Sequence, residues 1–151
     1  MGNTKAEDLV DFNIRHAWHK ISRMYNQKAK AFDITMSIGF ILLIVDKEGT
    51  PSTQLGPRMG MEPTSLSRTL RSMEDKGFIY RKVDETDKRK VLIFLTPKGV
   101  EMRREAREGV LSFNEKVLSV VPEKKMKTFF EVMENINDVT EEELSKAIKY
   151  A

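Results

Sequence analysis

The chain has 151 residues, of which 40% are hydrophobic and 32% are charged, and its formal net charge at pH 7 is +3. This length fits one domain with a sizeable core, and apolar residues recur along nearly the whole chain, which excludes a largely disordered protein. The chain contains no cysteine, which excludes disulfides, thiolate catalysis and cysteine-based metal or redox sites.

The first predicted element is a long amphipathic helix over residues 7–32, where apolar residues recur every three or four positions. Its opposite side carries cations: Arg15, Lys20, Arg23 and Lys28. A second helix follows Asp33 and Thr35, both competent N-cap residues. This helix is apolar almost all round, which predicts burial, and Gly49 is expected to end it.

The next segment is predicted to be a helix-turn-helix. Its first helix spans residues 53–59 with Ser52 as N-cap, and its second spans residues 63–76 and begins at a proline. The linker, residues 60–62, is short and contains a glycine, as this motif requires. Pro57 removes a hydrogen bond inside the first helix, so that helix either bends or ends early.

Two strands and two long helices complete the prediction. Residues 78–83 and 91–95 have strand composition, and the charged loop between them predicts a hairpin with a basic tip. Residues 96–97, Thr-Pro, predict the start of a long helix. Pro122 separates it from a final helix, in which residues 135–138 are a candidate kink.

Hydroxyl and guanidinium side chains share the polar face of the second helix of the helix-turn-helix. They are Thr64, Ser65, Ser67, Arg68 and Arg71. Such groups bind phosphates or base edges of DNA, and the alternative is an ordinary solvated helix surface. The hairpin tip adds a second cationic group, Lys88, Arg89 and Lys90, whose alternative is an ordinary charged loop.

Residues 66–99, LSRTLRSMEDKGFIYRKVDETDKRKVLIFLTPKG, resemble the recognition helix and wing of the MarR family of bacterial transcription regulators. The resemblance implies a mainly α fold with a small β-hairpin wing, as one domain over residues 1–151. Its winged helix-turn-helix would span residues 35–99. Helices over residues 7–32 and 100–151 would form a homodimer. One departure is Thr86, where relatives often have an arginine in the wing.

The resemblance also implies a function. The chain is expected to bind a pseudo-palindromic DNA operator as a homodimer and to act as a repressor that a small aromatic or phenolic ligand releases. Candidate ligand-binding residues lie on the first two helices: Trp18, Met24, Phe32, Met36 and Phe40. Their alternative role is core and dimer packing. The alternative function is a winged-helix protein-interaction module whose basic face binds an acidic protein.

The sequence predicts no enzyme, no cofactor and no metal site. It contains no phosphate-binding glycine loop, no nucleophile elbow and no HExxH motif. His16 and His19 face one way on the first helix; the alternatives are a zinc site with a third ligand and a plain polar face. Residues 38–45, the most apolar segment, are too few to cross a bilayer. Residues 1–10 lack a secretory pattern, so a cytoplasmic location is expected.

Overall fold

The computed structural model describes residues 4–149, so residues 1–3 and 150–151 of the predicted domain lie outside it. The predicted fold class is confirmed: the described chain is mainly helical with one small sheet. In chain order the elements are α1 (Val10–Ala29), α2 (Met36–Ile44), β1 (Thr50–Pro51), α3 (Ser52–Met59), α4 (Pro63–Asp75), β2 (Ile79–Val83), β3 (Val91–Leu95), α5 (Pro97–Val120) and α6 (Glu123–Lys149). Two compact units, Met1–Gly109 and Val110–Ala151, divide the chain within α5.

The connection from α1 to α2 is held by side-chain caps. The chain turns at Asp33, which adopts the left-handed conformation with φ 54°. Thr35 is the N-cap of α2, and its hydroxyl accepts a hydrogen bond from the Ile38 N–H at 3.3 Å. The side-chain oxygen of Asn26 in α1 accepts another from the Met36 N–H at 3.0 Å. The predicted cap at Thr35 is therefore confirmed, and α1 contributes a second one.

The prediction that Gly49 ends α2 is wrong. The helix ends at Ile44, and Val45 takes an extended conformation that keeps its side chain fully buried. Gly49 lies in the following turn with φ +90°, and the ring of Phe94 occupies the space that a Cβ would need there. The helix stops early because the extended backbone at Val45 directs this apolar side chain into the core.

The helix-turn-helix is confirmed as α3 and α4, joined by residues 60–62. The assignment of Ser52 as N-cap is wrong by one position, since Ser52 is the first helical residue and follows Pro51. Of the two alternatives for Pro57, the early end of α3 is excluded, since Pro57 lies inside the helix. The helix continues until Gly60, which leaves it in the left-handed conformation with φ 60°.

The predicted hairpin is confirmed as β2 and β3, paired antiparallel with Ile79 opposite Leu95. Sequence reasoning missed a third strand: β1 pairs antiparallel with the other edge of β3, with Thr50 opposite Ile93. Two residues are too few to show the alternation by which strands are detected. The pairing anchors the chain before α3 to the hairpin, so the helix-turn-helix and the wing share one sheet.

The core of the first unit gathers apolar side chains from α2, α3, α4 and the sheet. Those most deeply buried are Ile38, Ile41, Leu42, Val45, Leu55, Leu70, Met73, Phe78, Ile79 and Ile93. The burial predicted for α2 is therefore confirmed. α1 has no buried residue, although it carries apolar side chains such as Trp18, which is 51% exposed.

The second unit contains the C-terminal part of α5 and all of α6. The break at Pro122 is confirmed, because α5 ends at Val120 and α6 begins at Glu123. α6 is assigned as one uninterrupted helix, so the candidate kink at residues 135–138 does not break it. It has no buried residue, and large apolar side chains such as Phe130 are exposed. No helix among the described residues is both long and apolar enough to cross a bilayer.

Candidate nucleic-acid interface

α4 presents a polar face because its apolar residues form a separate buried line. Leu66, Leu70 and Met73 lie at helical spacing and are at most 8% exposed. Pro63 occupies the first turn, where its missing N–H costs no hydrogen bond. The predicted apolar line of this helix is confirmed. Its packing into the core fixes which side of the helix faces solvent.

The five predicted contact residues of α4 are all exposed, but four of them form one stripe. Their positions follow the i, i+3, i+4, i+7 pattern of a single helix face. This contact stripe consists of Thr64, Ser67, Arg68 and Arg71. Ser65 lies to its side, where its carbonyl accepts a hydrogen bond from the Thr69 hydroxyl at 2.9 Å. Among the described residues, neither Arg68 nor Arg71 forms an ion pair, so both guanidinium groups are available to a ligand.

Two ion pairs hold α4 in place at its C-terminal end, and sequence reasoning missed both. Glu74 bonds the guanidinium of Arg81 in β2 at 3.0 Å, which joins the helix to the hairpin. Lys76 bonds Asp33 at 2.7 Å, and this ammonium lowers the pKa of the Asp33 carboxyl by its hydrogen bond and its charge. Lys76 and Asp33 are 43 positions apart, and Glu74 and Arg81 lie on different elements, so no periodic pattern within one element could reveal either pair.

The side chain of Arg58 in α3 bonds two residues at the end of α2 and just after it. Its guanidinium donates a hydrogen bond to the carbonyl of Ile44 at 3.1 Å and lies 3.9 Å from the Asp46 carboxylate. The carbonyl at the end of a helix lacks an intrahelical partner, so this bond caps α2. Arg58 thereby fixes the position of α3 relative to α2.

The tip of the hairpin is a compact, hydrogen-bonded turn. The Asp84 carboxylate accepts hydrogen bonds from the N–H and the hydroxyl of Thr86, both at 2.8 Å, and these bonds lower its pKa. The Asp84 N–H bonds the Lys90 carbonyl at 2.9 Å, which closes the loop. Thr86, at the position where relatives often have arginine, therefore stabilises the turn.

The three predicted wing cations differ in their partners. Arg89 is 91% exposed and bonds the Asp87 carboxylate at 3.1 Å, which lowers the pKa of Asp87. Lys88 and Lys90 are exposed and, within residues 4–149, form no ion pair. The wing thus presents two free ammonium groups and one guanidinium held by a neighbouring acid.

One of the predicted ligand residues, Met24, lines a surface cavity in the described part of the chain. A surface cavity of about 350 Å³ on α1 is lined by Met24, with Lys20, Arg23 and Gln27. A neighbouring cavity of about 410 Å³ is lined by polar residues: His19, Ser22, Arg23, Asn26, Gln27 and Lys30. Trp18 and Phe32 are 51% and 43% exposed, whereas Met36 and Phe40 are partly buried. Phe40 packs edge-on against Tyr25, with ring centroids 5.7 Å apart.

His16 and His19 lie on an exposed face of α1. The ring of His16 stacks on Phe12, with centroids 6.1 Å apart. Among the described residues, no group of three or more His, Asp or Glu side chains is arranged to hold a metal ion.

The chain is similar in sequence to known transcription regulators. The profile of the MarR family matches residues 34–91. The chain is 30% identical over 89 residues to the HTH-type transcriptional regulator TtmR of Methylorubrum extorquens (strain PA1), covering 58% of this chain and 46% of that protein. It is 27% identical over 105 residues to the HTH-type transcriptional regulator BilQ of Clostridium symbiosum (strain WAL-14163), covering 70% and 73% of the two chains. The match thus spans less than half of TtmR.

Solved structures with the same fold include complexes with DNA. The S. aureus MepR–DNA complex has a TM-score of 0.79 and 22% identity, covering 87% of this chain and 98% of that one. Streptococcus pneumoniae FabT in complex with DNA has a TM-score of 0.73 and 18% identity, covering 88% and 96%. At these identities the likeness establishes the fold, and it agrees with the winged helix-turn-helix described above.

Proposed function

Because this chain belongs to the MarR family of winged helix-turn-helix transcriptional regulators, we propose that it binds a specific double-stranded DNA operator as a homodimer and represses transcription. Regulators of this family are not enzymes, in agreement with the expectation of no catalytic centre. A small aromatic or phenolic ligand is proposed to release the repressor from DNA.

The contact stripe of α4 is the observation that carries this proposal. Its four side chains extend over about 10 Å of helix, at 1.5 Å per residue, and they are hydroxyls and guanidinium groups. An α-helix fits the major groove of B-DNA, where arginine reads guanine edges and hydroxyls bind bases or phosphates. Arg68 and Arg71 are exposed, and neither forms an ion pair within the described residues. Both can therefore bind DNA without breaking an internal ion pair.

The wing is proposed to bind the phosphate backbone of DNA beside the major groove. Lys88, Arg89 and Lys90 supply cations that replace the counterions of phosphate groups. Arg89 must exchange its bond to Asp87 for one to phosphate. This exchange costs little, because the pair is at the surface, where water and salt screen ion pairs.

A homodimer would account for the uncovered helices at the two ends of the chain. Neither α1 nor α6 buries a residue, although both carry large apolar side chains. Contiguous apolar surface of this kind usually marks an interaction site. A two-fold dimer would present α4 of each copy to successive turns of DNA, about 34 Å apart, and would require a pseudo-palindromic operator.

The proposed ligand would bind near the junction of α1 and α2, using Trp18, Met24, Phe32, Met36 and Phe40. Met24 lines a surface cavity together with the cations Lys20 and Arg23, and such cations suit a molecule with an anionic group. Titration of a panel of phenols and benzoates into the protein–DNA complex tests the proposed release by a ligand. Release of DNA by one of them, and loss of that response in Trp18→Ala, is the expected result; no release across the panel would contradict it.

DNA binding is tested with an operator selected from a random duplex library by the wild-type protein. We expect Arg68→Ala and Arg89→Ala to weaken binding of the selected duplex by about 1–3 kcal/mol in fluorescence anisotropy at fixed salt. Arg107→Ala, which removes an exposed arginine from α5, is the matched control and is expected to retain wild-type affinity. Wild-type affinity in both interface variants, or no duplex enriched in the selection, would overturn the proposal. Little binding even to random DNA at moderate salt would favour a protein-interaction module.

A further inference from the structure

The C-terminal end of α4 is closed by two backbone hydrogen bonds around a glycine. Gly77 adopts the left-handed conformation, with φ 74°. Its N–H donates to the Glu74 carbonyl, and the Phe78 N–H donates to the Met73 carbonyl, both at 2.9 Å. This pattern is the Schellman motif, which ends a helix sharply. It leaves the carbonyls of Lys76 and Gly77 without a partner from α4 itself.

The charges at this end of α4 do not favour a helix terminus. The carbonyls at a helix C-terminus carry about half a negative charge, which cations stabilise and acids destabilise. The last turn of α4 contains Glu74 and Asp75 and no basic residue. The ammonium of the next residue, Lys76, is bonded to Asp33. A cation that binds the carbonyls themselves therefore has to come from another element.

Lys98, in the first turn of α5, supplies such a cation. Its Nζ donates a hydrogen bond to the Lys76 carbonyl at 2.7 Å and lies 5.1 Å from the centroid of the Phe78 ring. The aliphatic part of the side chain passes over Gly77, since its Cδ lies 3.9 Å from the position that a Cβ would take there. Within residues 4–149 this ammonium forms no ion pair, so the carbonyl and the ring are the groups that hold it.

Thr96 joins the same two helix ends. Its hydroxyl donates to the Gly77 carbonyl and accepts from the Gly99 N–H, so one side chain caps both the end of α4 and the start of α5. The Thr96 N–H donates to the Phe78 carbonyl at 3.0 Å. Together with the bond from the ammonium of Lys98, these bonds satisfy three successive carbonyls that follow α4. The start of α5 is therefore attached to the end of α4 by three hydrogen bonds.

We propose that Lys98 is a positioning residue for DNA binding, which acts through the end of α4 and does not itself touch the DNA. This inference rests on the proposed function, in which α4 enters the major groove. The side chain offsets the partial charge of the α4 carbonyls and ties them to α5, so the helix is held in one orientation before DNA binds. A helix that is held loosely has to be ordered on binding, and this ordering costs affinity.

Lys98→Met tests the role of the ammonium, because methionine keeps a long aliphatic side chain over Gly77 and lacks the charge. We expect the variant to bind the selected duplex about tenfold more weakly in fluorescence anisotropy, because the bond is lost at both copies of α4 in the dimer. Lys98→Arg keeps a cation that can bond a carbonyl and lie over an aromatic ring, and it is expected to restore most of the affinity.

The salt dependence of binding separates positioning from a direct contact with phosphate. Each phosphate contact contributes about −0.9 to the slope of log K against log salt concentration, so the loss of one contact per protomer reduces the slope by about 2. A positioning residue leaves the slope unchanged. We therefore expect the wild-type slope for Lys98→Met. The matched control is Lys88→Met, which removes a wing lysine that is proposed to bind phosphate and is expected to reduce the slope.

Amide hydrogen exchange gives a second measurement, made without DNA. The N–H groups of Gly77 and Phe78 should exchange faster in Lys98→Met than in the wild type, because the turn that they close has lost its cation. Circular dichroism and urea unfolding check that both variants at position 98 are folded.

Wild-type DNA affinity in Lys98→Met would overturn the proposal, even with a lower urea midpoint, because the residue would then serve stability alone. A reduced salt slope in this variant would overturn it in favour of a direct phosphate contact. Equal weakening in Lys98→Met and Lys98→Arg, or unchanged exchange of the two N–H groups, would also contradict it. Failure of the wild-type protein to bind any duplex would instead refute the proposed function, on which the positioning role depends.

Discussion

Substitution of Gly99 by alanine is predicted to destabilise the chain, although alanine normally favours a helix. Gly99 lies in the first turn of α5, against the backbone of Phe78. A Cβ at this position would overlap the Phe78 carbonyl oxygen and lie 3.0 Å from its carbonyl carbon, whereas ordinary Cβ contacts begin near 3.4 Å. Both atoms belong to the backbone, so no side-chain rotation can relieve the overlap.

The energetic cost of Gly99→Ala follows from the backbone that must move to make room for the Cβ. The Phe78 carbonyl also accepts a hydrogen bond from the Thr96 N–H at 3.0 Å, so separating α5 from Phe78 strains or breaks this bond. Overpacking costs about 1–3 kcal/mol and a lost hydrogen bond about 1 kcal/mol, while alanine returns up to about 1 kcal/mol through helix propensity. The expected loss in the free energy of unfolding is about 1–3 kcal/mol, or about 0.5–1.5 M in the urea midpoint at an m-value of about 2 kcal/mol/M.

Gly109→Ala provides the matched control. It makes the same substitution in the same helix, but the space around its Cβ is open. We expect it to raise the free energy of unfolding by about 0.5–1 kcal/mol. Urea unfolding is followed by circular dichroism at one protomer concentration, because dimerisation makes stability depend on concentration. A midpoint for Gly99→Ala at or above that of Gly109→Ala would refute the steric argument.

Three further predictions concern two ion pairs at the C-terminal end of α4 and the N-cap of α2. Glu74→Gln removes the ion pair with Arg81 and is expected to weaken DNA binding several-fold in anisotropy. The free energy of unfolding in urea should change by less than about 1 kcal/mol, because the pair is partly exposed. Unchanged affinity would show that the pair does not position the helix. Lys76→Met is expected to raise the pKa of Asp33 in an NMR titration. Since the folded-state pKa lies below its ordinary value, the pair stabilises the fold at neutral pH and is lost as the pH falls through that pKa, and an unshifted titration would contradict this. Thr35→Ala removes the N-cap of α2 and is expected to cost about 1 kcal/mol in urea unfolding, whereas Thr35→Ser should cost much less.

Elements with local signals were predictable. The periodicity of apolar residues located the long helices, and proline and glycine marked the boundaries of α4, the start of α5 and the break before α6. Errors arose where tertiary packing overrode a local signal. Glycine commonly follows the last residue of a helix, which favoured Gly49 as the end of α2. The helix instead ends at Ile44, because Val45 is extended and its side chain is buried in the core. The two-residue strand β1 has no pattern of its own and exists only through its pairing with β3.

The interface was predictable to the level of a face and not to the level of each side chain. The amphipathic pattern of α4 identified its exposed stripe, including Arg68 and Arg71. It also grouped Ser65 with the stripe, whereas this residue lies at one side of it, because successive residues of a helix with 3.6 residues per turn are about 100° apart. It also could not separate the free cations of the wing from Arg89, which bonds Asp87.

The sequence by itself determined the succession of helices and strands and the buried line of α4, because each depends on residues close together in the chain. Only the tertiary structure decided which charged groups remain free for DNA and which hold the scaffold. Asp33 and Lys76 are 43 positions apart and still lie 2.7 Å from each other. Such a pair forms when folding brings distant segments together, and no local pattern records it.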